Sequence, residues 1–157
     1  MKKEPAFIKI AISSDEYFPI IDLLVDEVRK RGHEVQYFGP SKDEKPIDWP
    51  EITLKAMNEV AAGRAEEGIV LCWTGTGCTI VANKIPGIRA ALCADAETAK
   101  GARIWNHANV LGLSLRKTSD AILKEILTTW FETPYSTDEW NRLQIQRVNQ
   151  IDKQKAL

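Results

Sequence analysis

The sequence has few of the features that mark membrane, secreted or nucleic-acid-binding proteins. Among its 157 residues no apolar run approaches the roughly 20 residues of a membrane span. The 21 lysines and arginines are balanced by 22 aspartates and glutamates, so no basic surplus indicates a polyanionic partner. The three cysteines have no CxxC spacing, and the first residues, MKKEPAFIKIAIS, lack the apolar region of a signal peptide. We therefore expect a cytoplasmic protein with reduced cysteines, binding neither membrane nor nucleic acid.

Short apolar runs alternate with helical hydrophobic patterns along the chain. This alternation predicts an α/β fold, a three-layer sandwich in which helices cover both faces of a five-stranded parallel Rossmann-like sheet. No linker or repeat divides the chain, so we expect one domain over residues 1–157. The predicted strands span residues 7–12, 34–38, 69–73, 88–93 and 109–113. The predicted helices span residues 17–31, 50–62, a segment beginning near 77, 95–104, 118–130 and 136–153.

The segment GIVLCWTGTGCTIVANK, residues 68–84, carries the clearest sign of a site. It predicts a buried strand, a tight turn and the first turns of a helix. Gly75 and Gly77 can adopt positive φ and expose N–H groups at the helix start, where anions bind. An ordinary turn between a strand and a helix, with core cysteines, explains the pattern equally well. The missing GxGxxG spacing disfavours a dinucleotide site.

Ligands of open α/β sheets bind beyond the carboxyl ends of the strands, near the point where the strand order reverses. Asp15 follows the first predicted strand, and residues 72–77 follow the third. By the same rule we expect the polar segment 105–109 to share one crevice with them. The expected convergence of these three segments favours a functional site, rather than an ordinary turn, at Gly75 and Gly77.

Four short motifs stand in order along the chain: Cys72-x-Thr74-Gly75-x-Gly77, Ala82-Asn83-Lys84, Pro86-Gly87-Ile88-Arg89-Ala90 and Asn106-x-x-Asn109-Val110-Leu111. Three shorter ones accompany them: Ser14-Asp15, Asp48-x-Pro50 and Arg147-Val148. Taken together, these motifs resemble the type-B ribose-5-phosphate isomerases and their galactose-6-phosphate isomerase relatives. The resemblance covers most of the chain, and its motifs stand in matching order.

The resemblance implies an aldose–ketose isomerase that uses neither metal nor cofactor. It acts on a small sugar phosphate through a cis-enediolate. It also implies a homodimer or homotetramer with the site at the subunit interface and the last helix, about 136–153, packed on a neighbour. The implied catalytic residues are Cys72 as base, Thr74 as proton shuttle, Asn106 beside the intermediate and Asp15 on a substrate hydroxyl. The implied anion-binding residues are Gly75, Thr76, Gly77, Arg116 and Arg147.

The identity of the base has an alternative. Cys72 matches the thiol of one branch of the family, whereas Cys78 falls where another branch has a glutamate base. We favour Cys72, because a small core hydrophobe is the commoner role for a residue such as Cys78. A helix N-terminus can lower the pKa of the Cys72 thiol and so supply the required thiolate.

The sequence departs from the family at positions that would set specificity. Glu16 stands where a phosphate-binding histidine is usual, and a carboxylate there would repel phosphate. Trp105 replaces the ring-opening histidine, for which His107 is a candidate substitute acid. Trp73 replaces a glycine beside the base, and Trp49 replaces a tyrosine.

These changes favour a short or open-chain substrate, a tetrose or pentose phosphate, because such a molecule needs no ring-opening acid and fits beside a bulky tryptophan. The alternative is a non-catalytic sugar-phosphate-binding protein, or one subunit of a hetero-oligomeric isomerase. A thiol redox or metal protein is disfavoured by the cysteine spacing.

Overall fold

A computed structural model describes residues 6–154 of the chain. Residues 1–5, which carry part of the argument for a cytoplasmic location, lie outside this range. The strands are β1 (Lys9–Ser14), β2 (Glu34–Phe38), β3 (Glu67–Cys72), β4 (Ala90–Leu92) and β5 (Val110–Ser114). The helices are α1 (Pro19–Lys30), α2 (Trp49–Ala61), α3 (Thr76–Ala82), α4 (Ala96–Asn106), α5 (Asp120–Glu132) and α6 (Glu139–Gln154). All strand pairs are parallel, which confirms the predicted fold class.

The helix starts follow local sequence chemistry. Asp95 accepts a hydrogen bond from the Thr98 N–H at 2.7 Å and caps α4. Ser119 caps α5 in the same way, through the Ile122 N–H. A proline occupies the first turn of both α1 and α2, where its missing N–H removes no helical hydrogen bond. Capping thus explains why these helices begin where the sequence predicts.

Two apolar layers hold helices against the faces of the sheet. One layer joins α1, α4 and α5 to the sheet and includes the fully buried Trp130. The other joins α2 and α3 to the opposite face and includes Met57, Cys72 and Cys78. Both faces are therefore covered, as a parallel sheet requires.

The strand order β2-β1-β3-β5-β4 fixes where a ligand should bind. From β1 the chain moves outward to β2, whereas from β3 it moves outward in the other direction, to β4 and β5. The reversal lies between β1 and β3, whose carboxyl ends are Ser14 and Cys72. Because ligands of open α/β sheets bind beyond the carboxyl ends of the strands at such a reversal, we expect a ligand in the space above these two ends.

Element boundaries differ modestly from the sequence prediction. The fourth strand shortens to Ala90–Leu92, and Phe7, predicted to open the first strand, precedes it and is exposed. Helix α6 buries no residue and leaves an apolar row exposed, made up of Trp140, Leu143, Val148 and Ile151. Within residues 6–154, no helix combines the length and apolarity needed to cross a membrane.

Candidate active site

The loop between β3 and α3 is a tight turn that only glycine can make at its central position. Gly75 has φ +77°, and its N–H donates to the Cys72 carbonyl at 3.2 Å. A Cβ there would lie 2.6 Å from Leu92 Cδ1 and 2.9 Å from the Leu113 carbonyl oxygen. Backbone conformation and close packing together require glycine, so the turn directs the end of β3 into the start of α3.

Cys72 ends β3 in an environment that favours its thiolate. A hydrogen bond from the Cys78 thiol, followed by backbone N–H groups of Cys78, Gly75 and Thr74, lowers the pKa of Cys72 to about 5 despite its burial. The same contact and burial raise the pKa of Cys78 above its ordinary value. Cys72 therefore carries the negative charge near neutral pH, while Cys78 remains a thiol.

Asp15 lies directly after β1, beside the end of β3. Burial and the charge of Cys72 raise the pKa of Asp15 to about 6. Its Oδ1 atom is buried and has no hydrogen-bond partner among the described residues. The adjacent Glu16 adds to the negative field and raises the Asp15 pKa further, while the Glu16 carbonyl accepts a hydrogen bond from Ser14 Oγ. A substrate hydroxyl would supply the partner that Asp15 Oδ1 lacks.

Two tryptophans border this crevice. The Trp73 ring packs against Phe18 with centroids 5.7 Å apart, and its carbonyl accepts hydrogen bonds from Ser114 Oγ and the Arg116 N–H. The Trp49 ring covers Gly77, where an added Cβ would come within 3.2 Å of it. Both rings are nearly half exposed. They form an apolar rim around a polar site.

Polar groups from the loop and from the end of β5 lie at the same edge. Thr74 and Thr76 hydrogen-bond to each other through their hydroxyls at 2.7 Å and remain exposed. The Arg116 side chain, just beyond β5, is also exposed. These groups offer hydroxyl and cationic contacts to an anionic ligand near Cys72.

The prediction that segment 105–109 shares this crevice within one chain is wrong. Asn106 ends α4 and precedes β5, so it lies at the amino edge of the parallel sheet. Next to it, the Asn109 carbonyl accepts a hydrogen bond from Gly68 N–H, near the start of β3. Cys72 is at the other end of the same strand. A segment before a parallel strand and a segment after one cannot meet at one edge.

The amino-edge segment is instead held against the connection between α5 and α6 and against the turn before β4. His107 adopts φ +47°, stacks on Tyr135 with centroids 4.6 Å apart, and places Nε2 3.0 Å from the Ser136 carbonyl. Arg89 Nε donates to the His107 carbonyl at 2.8 Å. These contacts give His107 a structural role in this chain; as a candidate acid it could approach Cys72 only from another copy.

A cleft of about 340 Å³ opens beside Asn106 at this edge. Its walls are formed by Trp105, Asn106 and one side of α6. Arg147 is exposed on the same helix. The site residues therefore divide into two groups, with Asn106, Arg147, His107 and Trp105 at the amino edge and the others at the carboxyl edge.

Known proteins match this chain over most of its length, in sequence and in fold. The Ribose/Galactose Isomerase family model matches residues 10–151. The chain belongs to this family. It is 36% identical to D-erythrulose-4-phosphate isomerase of Pectobacterium atrosepticum, over 82% of this chain and 85% of the relative. It is 32% identical to galactose-6-phosphate isomerase subunit LacB of Clostridium acetobutylicum, over 90% of this chain and 82% of the relative.

A solved structure extends the similarity to three dimensions. The type B ribose 5-phosphate isomerase of Trypanosoma brucei superposes with a TM-score of 0.87 at 40% identity. The match covers 93% of this chain and 99% of that one. The family resemblance drawn from the sequence is therefore confirmed.

Sequence reasoning missed two features of the site. Phe18 pairs with Trp73, and Leu92 fills the space beside Gly75. Both contacts join different segments of the chain, and no local pattern signals them. Groups of three or more potential metal ligands do not occur within residues 6–154.

Proposed function

We propose that this protein is a metal-independent aldose–ketose isomerase of a small sugar phosphate, with Cys72 as its base. The observation that carries the proposal is the position of Cys72 at the reversal of strand order, with its pKa lowered to about 5, beside Asp15, whose Oδ1 has no hydrogen-bond partner among the described residues. A base with a pKa near 5 is ionised at neutral pH. Membership of a sugar-phosphate isomerase family supports this chemistry.

In this mechanism the Cys72 thiolate removes the C2 proton of the aldose and returns it to C1 of the ketose. The O2 hydroxyl proton passes to O1 through Thr74 Oγ1. The N–H groups of Thr76 and Gly77 at the start of α3 stabilise the enediolate oxygens, since the first N–H groups of a helix have no partner within it. The Gly75 N–H donates to the Cys72 carbonyl instead, and Gly75 serves the site through the turn that it forms. Asp15 accepts a hydrogen bond from a substrate hydroxyl.

Asn106 and Arg147 join this site from a second copy of the chain. Their location at the opposite edge of the sheet supports an assembly in which the amino edge of one subunit faces the carboxyl edge of another. The exposed apolar residues of α6 support its packing on a neighbour. We propose that each chain is one domain and that the working unit is a homodimer or homotetramer.

The preferred substrate is a short or open-chain sugar phosphate, such as a tetrulose phosphate. Trp73 and Phe18 narrow the crevice, and Trp105 replaces a ring-opening histidine. The similarity to D-erythrulose-4-phosphate isomerase supports the same substrate class. Arg116 at this edge, with Arg147 from the neighbour, supplies positive charge for the phosphate. The free cysteines fit a reducing cytoplasm.

The test is a panel of tetrulose, ribose, allose and galactose phosphates assayed with and without a metal chelator. We expect the highest kcat/KM on the tetrulose phosphate, unchanged by the chelator, and deuterium from solvent at C2 of the aldose. Trp73→Gly should raise activity on ribose 5-phosphate relative to the tetrulose phosphate. Best turnover of ribose 5-phosphate by the wild type would overturn the substrate assignment.

A second candidate is one subunit of a hetero-oligomeric isomerase. The similarity to subunit LacB favours this candidate. A chain whose site residues lie at two opposite edges of its sheet can complete its site with a different chain as well as with its own copy. Absence of solvent exchange in every substrate by the purified chain, with exchange gained on adding a related subunit, would support this candidate instead.

A further inference from the structure

A contact between two aromatic rings, those of Phe18 and Trp73, bridges the crevice at the reversal of strand order. The strands that flank the reversal, β1 and β3, end side by side, with Ser14 paired to Leu71. Beyond these ends the chain enters α1 on one face of the sheet and α3 on the opposite face. The Trp73 ring nevertheless reaches the Phe18 ring, with centroids 5.7 Å apart and planes tilted by 37°. The pair therefore spans the gap in which a ligand is expected.

The Phe18 ring is the fixed member of this pair. It is only partly exposed and packs against the apolar layer that joins α1, α4 and α5 to the sheet. Phe18 precedes Pro19 and has the extended backbone that such a residue favours, with φ −138° and ψ 150°. Its carbonyl accepts a hydrogen bond from Ile21 N–H at 2.9 Å. The core and the start of α1 thus leave this side chain little freedom to move.

The Trp73 ring, in contrast, is attached to a fixed backbone but is free on one side. The Trp73 carbonyl accepts hydrogen bonds from Ser114 Oγ at 2.9 Å and from Arg116 N–H at 3.0 Å. The side chain is 49% exposed and belongs to neither apolar layer. Its orientation therefore depends on its side-chain torsions, and the contact with the Phe18 ring favours the orientation that bridges the crevice.

The contact between the two rings is strong enough to bias one exposed side chain. Aromatic pairs in tilted geometry favour the paired orientation by an amount that corresponds to about a 2- to 10-fold change in population. Such a factor is small beside the stability of a folded domain, so its loss leaves the fold intact. It is large enough to change which of two similar substrates is preferred.

We propose that Phe18 is a positioning residue that holds the Trp73 ring across the crevice, so that the pair admits a four-carbon sugar phosphate and hinders a longer one. The proposal rests on the proposed function for the class of substrate. Phe18 acts through Trp73 and touches no reacting atom. A five-carbon substrate has to displace the Trp73 ring, and the lost contact with Phe18 then weakens its binding.

The first test follows the Trp73 ring in the full chain without substrate. Labelling with 5-fluorotryptophan gives a fluorine NMR resonance for each of the five tryptophans, and Trp73→Phe assigns the signal. Phe18→Leu keeps apolar contact with the core but removes the ring, whereas Phe18→Tyr keeps the ring. We expect the Trp73 resonance to shift in Phe18→Leu and to stay near its wild-type position in Phe18→Tyr. An unchanged resonance in a folded Phe18→Leu would overturn the proposal; if leucine fails to fold, an unchanged resonance in Phe18→Ile would do the same.

The matched control is Phe131→Leu. Phe131 packs against the same apolar layer, but its ring contacts His33, which precedes β2 at the amino edge of the sheet. The substitution removes a comparable ring far from the crevice, so the Trp73 resonance should not move. A shift as large as that in Phe18→Leu would show that Trp73 responds to general loosening of the core, and would contradict the proposal.

The second test measures kcat and KM for a tetrulose phosphate and for ribose 5-phosphate. We expect Phe18→Leu to raise kcat/KM for ribose 5-phosphate relative to the tetrulose phosphate by about 2- to 10-fold, mainly through KM, because the ring limits binding rather than proton transfer. In a Trp73→Gly background the same substitution should leave this ratio unchanged, because Phe18 acts only through Trp73.

The outcomes separate this proposal from the proposed function. An unchanged ratio in Phe18→Leu, or an equal change in both backgrounds, would overturn the specificity role even if isomerase activity is confirmed. No turnover of any sugar phosphate would overturn the proposed function and the specificity role with it. The NMR result would still decide whether Phe18 holds the Trp73 ring.

Discussion

At the carboxyl edge of the sheet Cys72 is buried and Asp15 is half-buried, whereas Asn106 and Arg147 at the amino edge are exposed. Cys72 and Asp15 lie under an aromatic rim, and burial and mutual charge shift the pKa of Asp15 upward. Asn106 is exposed, but the segment after it is fixed by hydrogen bonds from Arg89 and Arg103. This difference fits our proposal that the first edge carries out proton transfer and that the second presents a side chain to another copy.

This contrast explains how a small chain can supply a complete site. Neither edge contains all of the residues that the proposed mechanism uses, and the two edges lie at opposite ends of β3. In the proposed assembly, apposition of unlike edges of two copies would complete the set. Substitutions at one edge should therefore differ from substitutions at the other in their effects on turnover and stability.

The largest expected effect is at the carboxyl edge. Cys72→Ala should lower kcat by about 10²- to 10⁴-fold, because it removes the base while the small side chain keeps the turn intact. Cys93→Ala is the matched control, since Cys93 is equally buried but lies after β4. Steady-state kinetics measures the loss of turnover in each variant, and thermal unfolding measures any loss of stability. If Cys72→Ala turned over substrate as fast as the wild type, another residue would have to be the base.

Substitution of Gly75 should damage stability as well as turnover. Gly75→Ala adds a Cβ at φ +77° and within 2.6 Å of Leu92 Cδ1, whereas Gly63→Ala adds one at φ +72° with nothing within 4 Å. We expect Gly63→Ala to cost about 1–2 kcal/mol of unfolding free energy from backbone conformation alone. Gly75→Ala should cost about 1–3 kcal/mol more through overpacking. Equal losses in denaturant unfolding would contradict the packing argument.

The pH dependence of the carboxyl edge should report two groups. The pKa of Asp15 is about 6 and that of Cys72 about 5, so both are charged above pH 6 and activity falls as pH drops through these values. In Asp15→Asn the acidic limb of kcat/KM should move from about 6 toward about 5, because only the thiol still titrates. A limb that stays in place would exclude Asp15 as its cause.

The smallest effect is expected at the amino edge. Tyr135 Oη donates to the Ala108 carbonyl at 3.1 Å and accepts from Arg103, so Tyr135→Phe should cost about 1 kcal/mol of unfolding free energy. Its ring still stacks on His107, so the segment keeps its position and turnover falls only slightly. Tyr37→Phe is the control, because Tyr37 Oη makes a similar bond to the Pro40 carbonyl far from Asn106. A large loss of turnover in Tyr135→Phe would show that the segment is less firmly held.

Much of this architecture follows from local patterns in the sequence. Apolar runs, proline and glycine positions, and capping by Asp95 and Ser119 predict the alternating elements. The positions of Asp15 and Cys72 at one edge follow from parallel pairing. Placing Asn106 there was wrong because its segment precedes β5, and chain order alone already assigns such a segment to the opposite edge. The contact between Phe18 and Trp73 depends on tertiary packing, which no local pattern encodes.

Subunit complementation tests the central claim, that one site is built from unlike edges of two copies. Cys72→Ala and Asn106→Ala chains are each weakly active alone and are mixed under conditions that exchange subunits. Random pairing in a two-fold dimer should restore about one quarter of the wild-type sites. Mixing Cys72→Ala with the double variant is the control and should restore none. A mixture of fully exchanged subunits that stays as inactive as its parents would contradict the account.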